Sequence, residues 1–348
     1  MAFRPIEASK EIEEKYVRYL RTIFSLSDPD YQSKLTAELT SGRKYANGPF
    51  LDVIDSFRKG KSVAELVADG QLPKGFSRLS FHQTRPLYLH QQRAIEKVSQ
   101  GKNVVVSTGT GSGKTESFLI PLLSHIIREQ EKGELNAGVR SLLIYPMNAL
   151  ANDQIERLRD LLKDYPEITF GSYTGQTKNT YREALADYRA LNDDALPLKN
   201  ELISREQMKE TPPHILVTNY AMLEYLMVRP ADSEFFREDR AIKWKFIVLD
   251  EAHVYSGSTG IEVSMLLRRL KARLGNQNIQ YILTSATLGG EDSNKEVADF
   301  ASNLCAARVY PAHCEKVRSK RRCGFGSVFH VRGVAAAPRS PKQQDTHR

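Results

Sequence analysis

The sequence predicts an α/β fold, in which a parallel sheet carries helices on both faces and is preceded by a helical N-terminal region. Short runs of β-branched and other apolar residues recur between residues 81 and 305, and helical patterns such as Ala149–Leu162 and Gly260–Leu274 separate several of them. Buried strands that alternate with helices indicate a parallel sheet covered on both faces. The predicted strands are Asn103–Ser107, Leu142–Tyr145, Ile215–Thr218, Phe246–Leu249 and Tyr281–Thr284.

The N-terminal region, residues 1–80, is predicted to be helical. Apolar side chains recur there at four-residue spacing and form an amphipathic stripe of Ile12, Tyr16, Leu20 and Phe24. Such a stripe needs a surface to pack against. We therefore divide the chain into this region, an α/β core over residues 81–305 and a tail over residues 306–348.

The net charge is concentrated in the tail. The total is +8 at pH 7, and residues 306–348 carry all of it, with ten basic and two acidic residues. The rest of the chain is neutral, so its charge does not by itself indicate nucleic-acid binding. The tail has no clear period and collects Arg, Pro and Gly, which predicts a basic irregular segment and fits a gene read out of frame.

The composition excludes several classes of protein. The 348 residues are 41% hydrophobic and 26% charged, which does not fit a disordered, collagen-like or disulfide-stapled chain. No apolar run approaches the roughly 18 residues that a membrane span needs. The three cysteines lack the spacing of a zinc site or a disulfide framework. We predict a cytoplasmic protein with no membrane partner.

A glycine-rich segment, Thr108–Thr115, follows the first predicted strand directly. Glycines let backbone N–H groups surround phosphate oxygens, and the following helix adds its N-terminal dipole. Thr108 stands where the strict pattern has glycine, but Gly109 and Gly111 keep the loop flexible. A glycine-rich connection without a ligand is the alternative. We predict that ATP is bound by Thr110, Gly111, Ser112, Gly113, Lys114 and Thr115, with Thr115 also a ligand of Mg²⁺.

Two further motifs follow later strands. Asp250-Glu251-Ala252-His253 comes directly after Phe246–Leu249. A carboxylate at this edge can hold Mg²⁺ while its neighbour orients the attacking water, so we assign Asp250 to the metal and Glu251 to the base, with Lys114 as the third catalytic residue. An acidic turn without a catalytic role is the alternative. Ser285-Ala286-Thr287 follows the last predicted strand, and only this position makes the tripeptide a candidate motif.

In this combination the sequence resembles the first RecA-like, P-loop core of a superfamily 2 helicase, over roughly residues 85–305. The glycine-rich segment resembles motif I, Asp250–His253 resembles motif II in its DEAH form, and Ser285–Thr287 resembles motif III. The resemblance implies that His253, Ser285 and Thr287 couple the nucleotide state to a nucleic-acid strand.

Other segments extend the resemblance. Tyr145–Leu150 is similar to motif Ia, Thr174-Gly175 to the TG motif, and Thr218-Asn219-Tyr220 to motif Ib. In the family these segments grip the backbone of a single strand, which implies contacts from Pro146, Asn148, Thr174, Gly175, Thr218 and Asn219. The segment Leu87–Gln91 resembles the upstream element that reads adenine, which implies an adenine contact for Gln91. The alternative for Gln91 is an exposed polar residue at a helix start.

The run from Asp250 to Leu274 and the segment Arg205–Pro230 resemble YprA-like DNA helicases of the mitomycin-repair type. This resemblance implies ATP and Mg²⁺ as cofactors and single-stranded nucleic acid as partner, DNA rather than RNA.

The residues after Thr287 are too few for a second core, which needs about 100–150 residues. In the family, ATP lies between two cores and the second supplies arginine fingers. We therefore expect this chain alone to bind Mg-ATP weakly, to hydrolyse it poorly and not to unwind. A second polypeptide could supply the missing core, or the gene is truncated. The alternatives are a nucleotide-regulated binding module without useful turnover and a nonfunctional gene fragment.

Overall fold

The computed structural model describes residues 5–24, 26–40, 50–53, 57–109, 111–275, 278–286, 294–312 and 329–332. The helices are α1 (Pro5–Ile23), α2 (Pro29–Thr40), α3 (Val63–Ala68), α4 (Leu89–Ser99), α5 (Lys114–Glu131), α6 (Asn148–Leu162), α7 (Tyr181–Leu191), α8 (Arg205–Glu210), α9 (Tyr220–Val228), α10 (Glu238–Ala241), α11 (Gly257–Leu274) and α12 (Asn294–Cys305). Within the described part of the chain, none of these helices has the length and apolar character needed to cross a membrane.

The strands are β1 (Phe50–Val53), β2 (Lys59–Ser62), β3 (Pro86–Tyr88), β4 (Asn103–Ser107), β5 (Ser141–Tyr145), β6 (Phe170–Ser172), β7 (Glu201–Leu202), β8 (Ile215–Asn219), β9 (Phe246–Leu249), β10 (Gln280–Ser285), β11 (Val309–Pro311) and β12 (Phe329–Arg332). All five predicted strands are present, with ends that agree within one residue. The chain forms two compact units, one of residues 1–56 and 317–348 and one of residues 57–316.

The first unit contains α1, α2 and an antiparallel pair of β1 with β12. The predicted helical character of the N-terminal region is confirmed by α1 and α2. The apolar stripe of α1 remains exposed, with 67% of Ile12, 46% of Tyr16 and 57% of Phe24 accessible to solvent. The expectation that this stripe packs against a surface stays a prediction.

The second unit is an eight-stranded sheet in the order β11-β4-β10-β9-β5-β8-β6-β7, and every pair of neighbours is parallel. Side chains of β5 alternate between its two faces. Leu143 and Tyr145 lie in a core with α4, α5 and α6, whereas Leu142 and Ile144 lie in a core with α9, α11 and α12. The predicted parallel sheet with helices on both faces is thus confirmed.

The bounds of the second unit differ from the predicted core of residues 81–305. It begins at Phe57, because β2 pairs with β3 and α3 contributes Val63 and Leu66 to the core. At the other end β11 lies beside β4, so the predicted irregular tail begins with a strand of the sheet. β11 has three residues, too few for a period in the sequence.

Candidate functional site

The predicted motifs line one edge of the sheet. The strands β4, β10, β9, β5, β8 and β6 are consecutive neighbours and parallel, so their carboxyl ends meet at the same edge. Along that edge the motifs follow in the order of the glycine-rich loop, Ser285, Asp250, Pro146, Asn219 and Thr174. We call the first three positions, which are predicted to bind a nucleotide, the nucleotide half of the edge. The last three positions are predicted to contact a nucleic-acid strand, and we call them the strand half.

The glycine-rich loop has left-handed backbone at two of its glycines. Gly111 and Gly113 have left-handed φ angles of 75° and 69°, which favour glycine. A Cβ on Gly113 would lie 2.4 Å from Gln91 Nε2. The 18-residue helix α5 begins at Lys114, whose Nζ donates to the carbonyl oxygen of Thr108 at 3.2 Å. Thr110 lies outside the described residues.

Two side chains of α4 make hydrogen bonds to backbone carbonyl oxygens of this loop. His90 Nε2 lies 3.0 Å from Ser112 O, and Gln91 Nε2 donates to Gly113 O at 2.7 Å. Burial lowers the pKa of His90 to about 4, so the ring is neutral and Nε2–H is the donor. The N–H of Tyr88 donates to Gln91 Oε1 at 2.7 Å.

Gln91 is therefore not the exposed polar residue of the alternative interpretation, since only 4% of it is accessible. Its adenine contact stays a prediction. His90 was not among the predicted site residues, because nothing in the sequence shows that its ring reaches the loop 22 positions away.

The acidic motif is held against β10. Thr284 Oγ1 donates to Asp250 Oδ1, and the N–H of Glu251 donates to both Asp250 Oδ1 at 3.1 Å and Thr284 Oγ1 at 3.2 Å. Burial raises the pKa of Asp250, and the hydrogen bond from Thr284 opposes that shift. Glu251 has a φ of 49°, an uncommon and costly conformation for a residue other than glycine.

The three nucleotide motifs contact one another. Glu251 Oε2 lies 3.3 Å from His253 Nδ1, and Ser285 Oγ lies 3.5 Å from the same nitrogen. Glu251 Oε2 is buried, and no described residue makes a hydrogen bond to it. The N–H of Thr108 donates to Ser285 O at 3.1 Å. Thr287 lies outside the described residues.

In the strand half, motifs Ia and Ib are joined by an amide pair. Asn219 Nδ2 donates to Asn148 Oδ1 at 2.7 Å, and Asn219 Oδ1 accepts from the N–H of Met222 at 2.7 Å and so caps α9. Pro146, Asn148 and Asn219 are each partly exposed.

Thr174 and Thr218, for which the resemblance implies contacts with a nucleic-acid strand, are both buried, and those contacts stay a prediction. Only 2% of Thr174 and none of Thr218 is accessible. Thr218 Oγ1 donates to Tyr173 O at 2.7 Å. Gly175 is exposed and offers its backbone instead. Arg205, which was not predicted, donates from Nη2 to Thr174 O at 3.0 Å.

The residues of the nucleotide half fit a magnesium nucleotide. A hydroxyl from Thr115 and a carboxylate from Asp250 are oxygen ligands that Mg²⁺ prefers, and Mg²⁺ usually takes its remaining ligands from water and phosphate. The described residues contain no group of three or more His, Cys, Asp or Glu that could hold a metal without such help. A Cβ on Gly109 or Gly111 would meet no atom within 4 Å, so the loop faces open space.

A family model described as DEAD/DEAH box helicase matches residues 88–295. The chain is similar to the Druantia protein DruE of Escherichia coli (strain UMEA 4076-1), with 28% identity over 85% of this chain and 21% of that protein. It is also similar to the uncharacterised ATP-dependent helicase YprA of Bacillus subtilis (strain 168), with 28% identity over 58% of this chain and 23% of that protein. The chain thus spans about a fifth of the length of these relatives.

Among solved structures, the fold is similar to that of the helicase MrfA bound to DNA and AMPPNP. The TM-score is 0.59 at 22% identity, covering 86% of this chain and 35% of that chain. A likeness at this level of identity shows the fold.

Proposed function

The chain belongs to the DEAD/DEAH box helicase family, and from that premise we propose that it is the ATP-binding core of a nucleic-acid-dependent ATPase acting on single-stranded DNA. The observation that carries this proposal is the order of the sheet. Six motifs lie far apart in the chain, between residues 108 and 285. Each of them stands at the carboxyl end of one of six consecutive parallel strands. A stable fold alone does not require chemistry-bearing residues at each of these ends.

In the nucleotide half, backbone N–H groups at the start of α5 and the ammonium of Lys114 would bind phosphate oxygens. Thr115 and Asp250 would hold Mg²⁺, which when bound neutralises charge on the β- and γ-phosphates. Glu251, whose Oε2 lies 3.3 Å from His253 Nδ1, would accept the proton of the attacking water.

The connection between the two halves would pass through neighbouring strands. His253 lies between Glu251 and Ser285, and the N–H of Asp250 donates to Ile144 O of β5 at 3.1 Å. Because Pro146 follows β5 within two residues of Ile144, a shift at Asp250 would reach motif Ia through the backbone.

In the strand half, Pro146, Asn148, Asn219 and the backbone of Gly175 would bind the sugar–phosphate backbone. Amide side chains and backbone N–H groups are common donors to phosphate and sugar. The structurally similar MrfA was solved with DNA, which supports DNA as the partner here. Contacts with sugar and phosphate do not by themselves specify a base sequence.

We also propose that these 348 residues turn ATP over slowly on their own and need a second core, within the relatives' longer architecture or on another polypeptide. The described residues form one eight-stranded sheet besides two strand pairs, and the family resemblance assigns the arginine fingers to a second core. Such arginines are worth on the order of 10³-fold or more in turnover.

The test is ATP hydrolysis by the whole chain, alone and with single-stranded DNA or RNA of equal length, beside Lys114→Ala. We expect slow turnover that DNA stimulates more than RNA does and that Lys114→Ala abolishes. Turnover equal in wild type and Lys114→Ala would contradict the assignment of the site. Nucleotide-dependent DNA binding without turnover would favour the binding module instead.

A further inference from the structure

We propose that Thr284 is a positioning residue for the magnesium nucleotide, whose hydroxyl fixes the Asp250 carboxylate and the backbone of Glu251 together. The inference rests on the proposed function. It adds a residue that precedes motif III and that the sequence motifs do not contain.

The pairing of β10 with β9 brings Thr284 to the acidic motif. Ile282 lies opposite Val248 and Leu283 lies opposite Leu249 in this parallel pair. The next position on β10 is Thr284, and the next position after β9 is Asp250. Thr284 is fully buried, so its hydroxyl has only protein groups or a bound ligand to contact.

The hydroxyl of Thr284 is used in both directions. It donates to Asp250 Oδ1 and accepts from the N–H of Glu251 at 3.2 Å. The same N–H also donates to Asp250 Oδ1 at 3.1 Å, so the three residues form a closed set of hydrogen bonds. Threonine is stiff at χ1 because its Cβ is branched, which fixes the direction of the hydroxyl.

This set determines which oxygen Asp250 offers to the ion. Both hydrogen bonds fall on Oδ1, and a carboxylate that accepts them cannot rotate without breaking both. Oδ2 takes part in neither hydrogen bond and would therefore be the oxygen that holds Mg²⁺. The groups that hold a ligating side chain in orientation typically contribute 10–100-fold to metal affinity.

The same hydrogen bonds stabilise the unusual backbone of Glu251. Its φ of 49° is disfavoured for a residue with a Cβ, and in this conformation of the turn the N–H of Glu251 has two acceptors. Because Ser285 follows Thr284 and contacts His253, the end of β10 would move Asp250, Glu251 and His253 as one group.

The test uses three variants of the whole chain. Thr284→Val keeps the shape and removes the hydroxyl, and Thr284→Ser keeps the hydroxyl and removes the methyl group. Thr169→Val makes the same chemical change at a distant hydroxyl, which contacts His214. The measurement is the affinity for a fluorescent ATP analogue with excess Mg²⁺ and with EDTA, after circular dichroism has verified the fold.

In the wild type, the affinity for the ATP analogue should be higher with Mg²⁺ than with EDTA. We expect this Mg²⁺-dependent gain in affinity to be smaller by about 10-fold or more in Thr284→Val, whose affinity in EDTA should be unchanged. Thr284→Ser and Thr169→Val should keep most of that gain. Should the valine variant not fold, Thr284→Ala removes the same hydroxyl and leaves no apolar group in its place.

The inference would be overturned if Mg²⁺ raised the affinity of Thr284→Val as much as that of the wild type. It would also be overturned if Thr284→Ser lost as much of this gain as Thr284→Val does. In either case Thr284 would be a packing residue. Failure of the proposed function has a different signature, since the wild type itself would then show no Mg²⁺-dependent binding.

Discussion

At the scale of single residues, the nucleotide half contains left-handed backbone conformations that few side chains tolerate. Gly113 and Glu251 both have left-handed φ angles. Gly113 also has Gln91 and Glu116 directly against the space that a Cβ would fill, so the position requires glycine for two separate reasons. Glu251 keeps its side chain because hydrogen bonds to its N–H offset the cost.

The first prediction concerns Gly113→Ala. The new Cβ would lie 2.4 Å from Gln91 Nε2 and 2.9 Å from Glu116 Oε2, and it would also strain the backbone. We expect the free energy of unfolding to fall by about 1–3 kcal/mol and nucleotide binding to be lost. Urea unfolding and titration with an ATP analogue measure the two effects.

The matched control is Gly101→Ala. Gly101 also has a positive φ, of 80°, but a Cβ there would meet no atom within 4 Å. It should lose about 1 kcal/mol of stability from the backbone alone and bind nucleotide normally. If Gly101→Ala and Gly113→Ala lost the same free energy of unfolding and the same nucleotide affinity, the contact with Gln91 would be unimportant.

The second prediction concerns pH. His214 is buried, where it accepts from the N–H of Thr169 at 3.0 Å and lies 3.2 Å from Asn136 O. Burial and, next, the charge of Arg140 lower the pKa of His214 to about 4. The unfolded chain therefore binds the proton first, and the stability is complete above about pH 6.5 and lost as pH falls toward 4.

For one such histidine the loss at pH 5 is about 2 kcal/mol relative to pH 8, and His90 adds a similar effect. His214→Gln removes one titrating group, so its unfolding free energy should depend less steeply on pH. Urea unfolding at pH 5, 6, 7 and 8 measures both slopes. An unchanged slope in the variant would contradict the assignment.

At the scale of elements, the strand half is organised by helix starts. Asn219 caps α9 and also holds Asn148, which is the first residue of α6. One side chain thereby fixes the starts of both helices that follow the proposed backbone contacts. The cap and the amide pair use different atoms, so they can be separated by mutation.

The third prediction uses that separation. Asn219→Ala should lower the free energy of unfolding by about 1 kcal/mol because the cap is lost, and it should weaken single-stranded DNA binding. Asn219→Ser can still cap α9 but is too short for Asn148, so it should keep stability and lose DNA affinity. Thermal unfolding and fluorescence anisotropy give the two readouts. Wild-type DNA affinity in Asn219→Ser would argue against a role for the amide pair.

The elements also show how far sequence reasoning reaches. The five long strands and the motifs after them could be predicted, because buried parallel strands are continuous apolar runs. The strands β6, β7 and β11 have two or three residues, too few for any period. Sequence spacing gives the position of Thr218 at a strand end but not the direction of its side chain, which is buried.

The contacts that sequence reasoning missed join residues that are distant in the chain. Thr284 reaches Asp250 across 34 positions, and Arg205 reaches Thr174 across 31. Such pairs depend on strand order, which alternation of strands and helices does not determine. Residues with a motif role were therefore predicted, and the residues that hold them in place were not.

At the scale of the whole molecule, one sheet edge would carry both of the proposed binding functions. The nucleotide half ends at β9 and the strand half begins at β5, and these strands are direct neighbours. An ion pair between Arg157 Nη2 and Glu116 Oε1 also joins α6 to α5 at 2.5 Å. The two halves therefore share backbone and side-chain contacts, as ATP-dependent control of strand binding requires.

The central claim is that this edge binds Mg-ATP, and its most direct test is isothermal titration calorimetry of the whole chain with a nonhydrolysable ATP analogue. The account predicts saturable binding that requires Mg²⁺ and that Lys114→Ala abolishes while the variant keeps its fold. Absence of Mg²⁺-dependent binding in the folded wild type, or equal binding by Lys114→Ala, would contradict it.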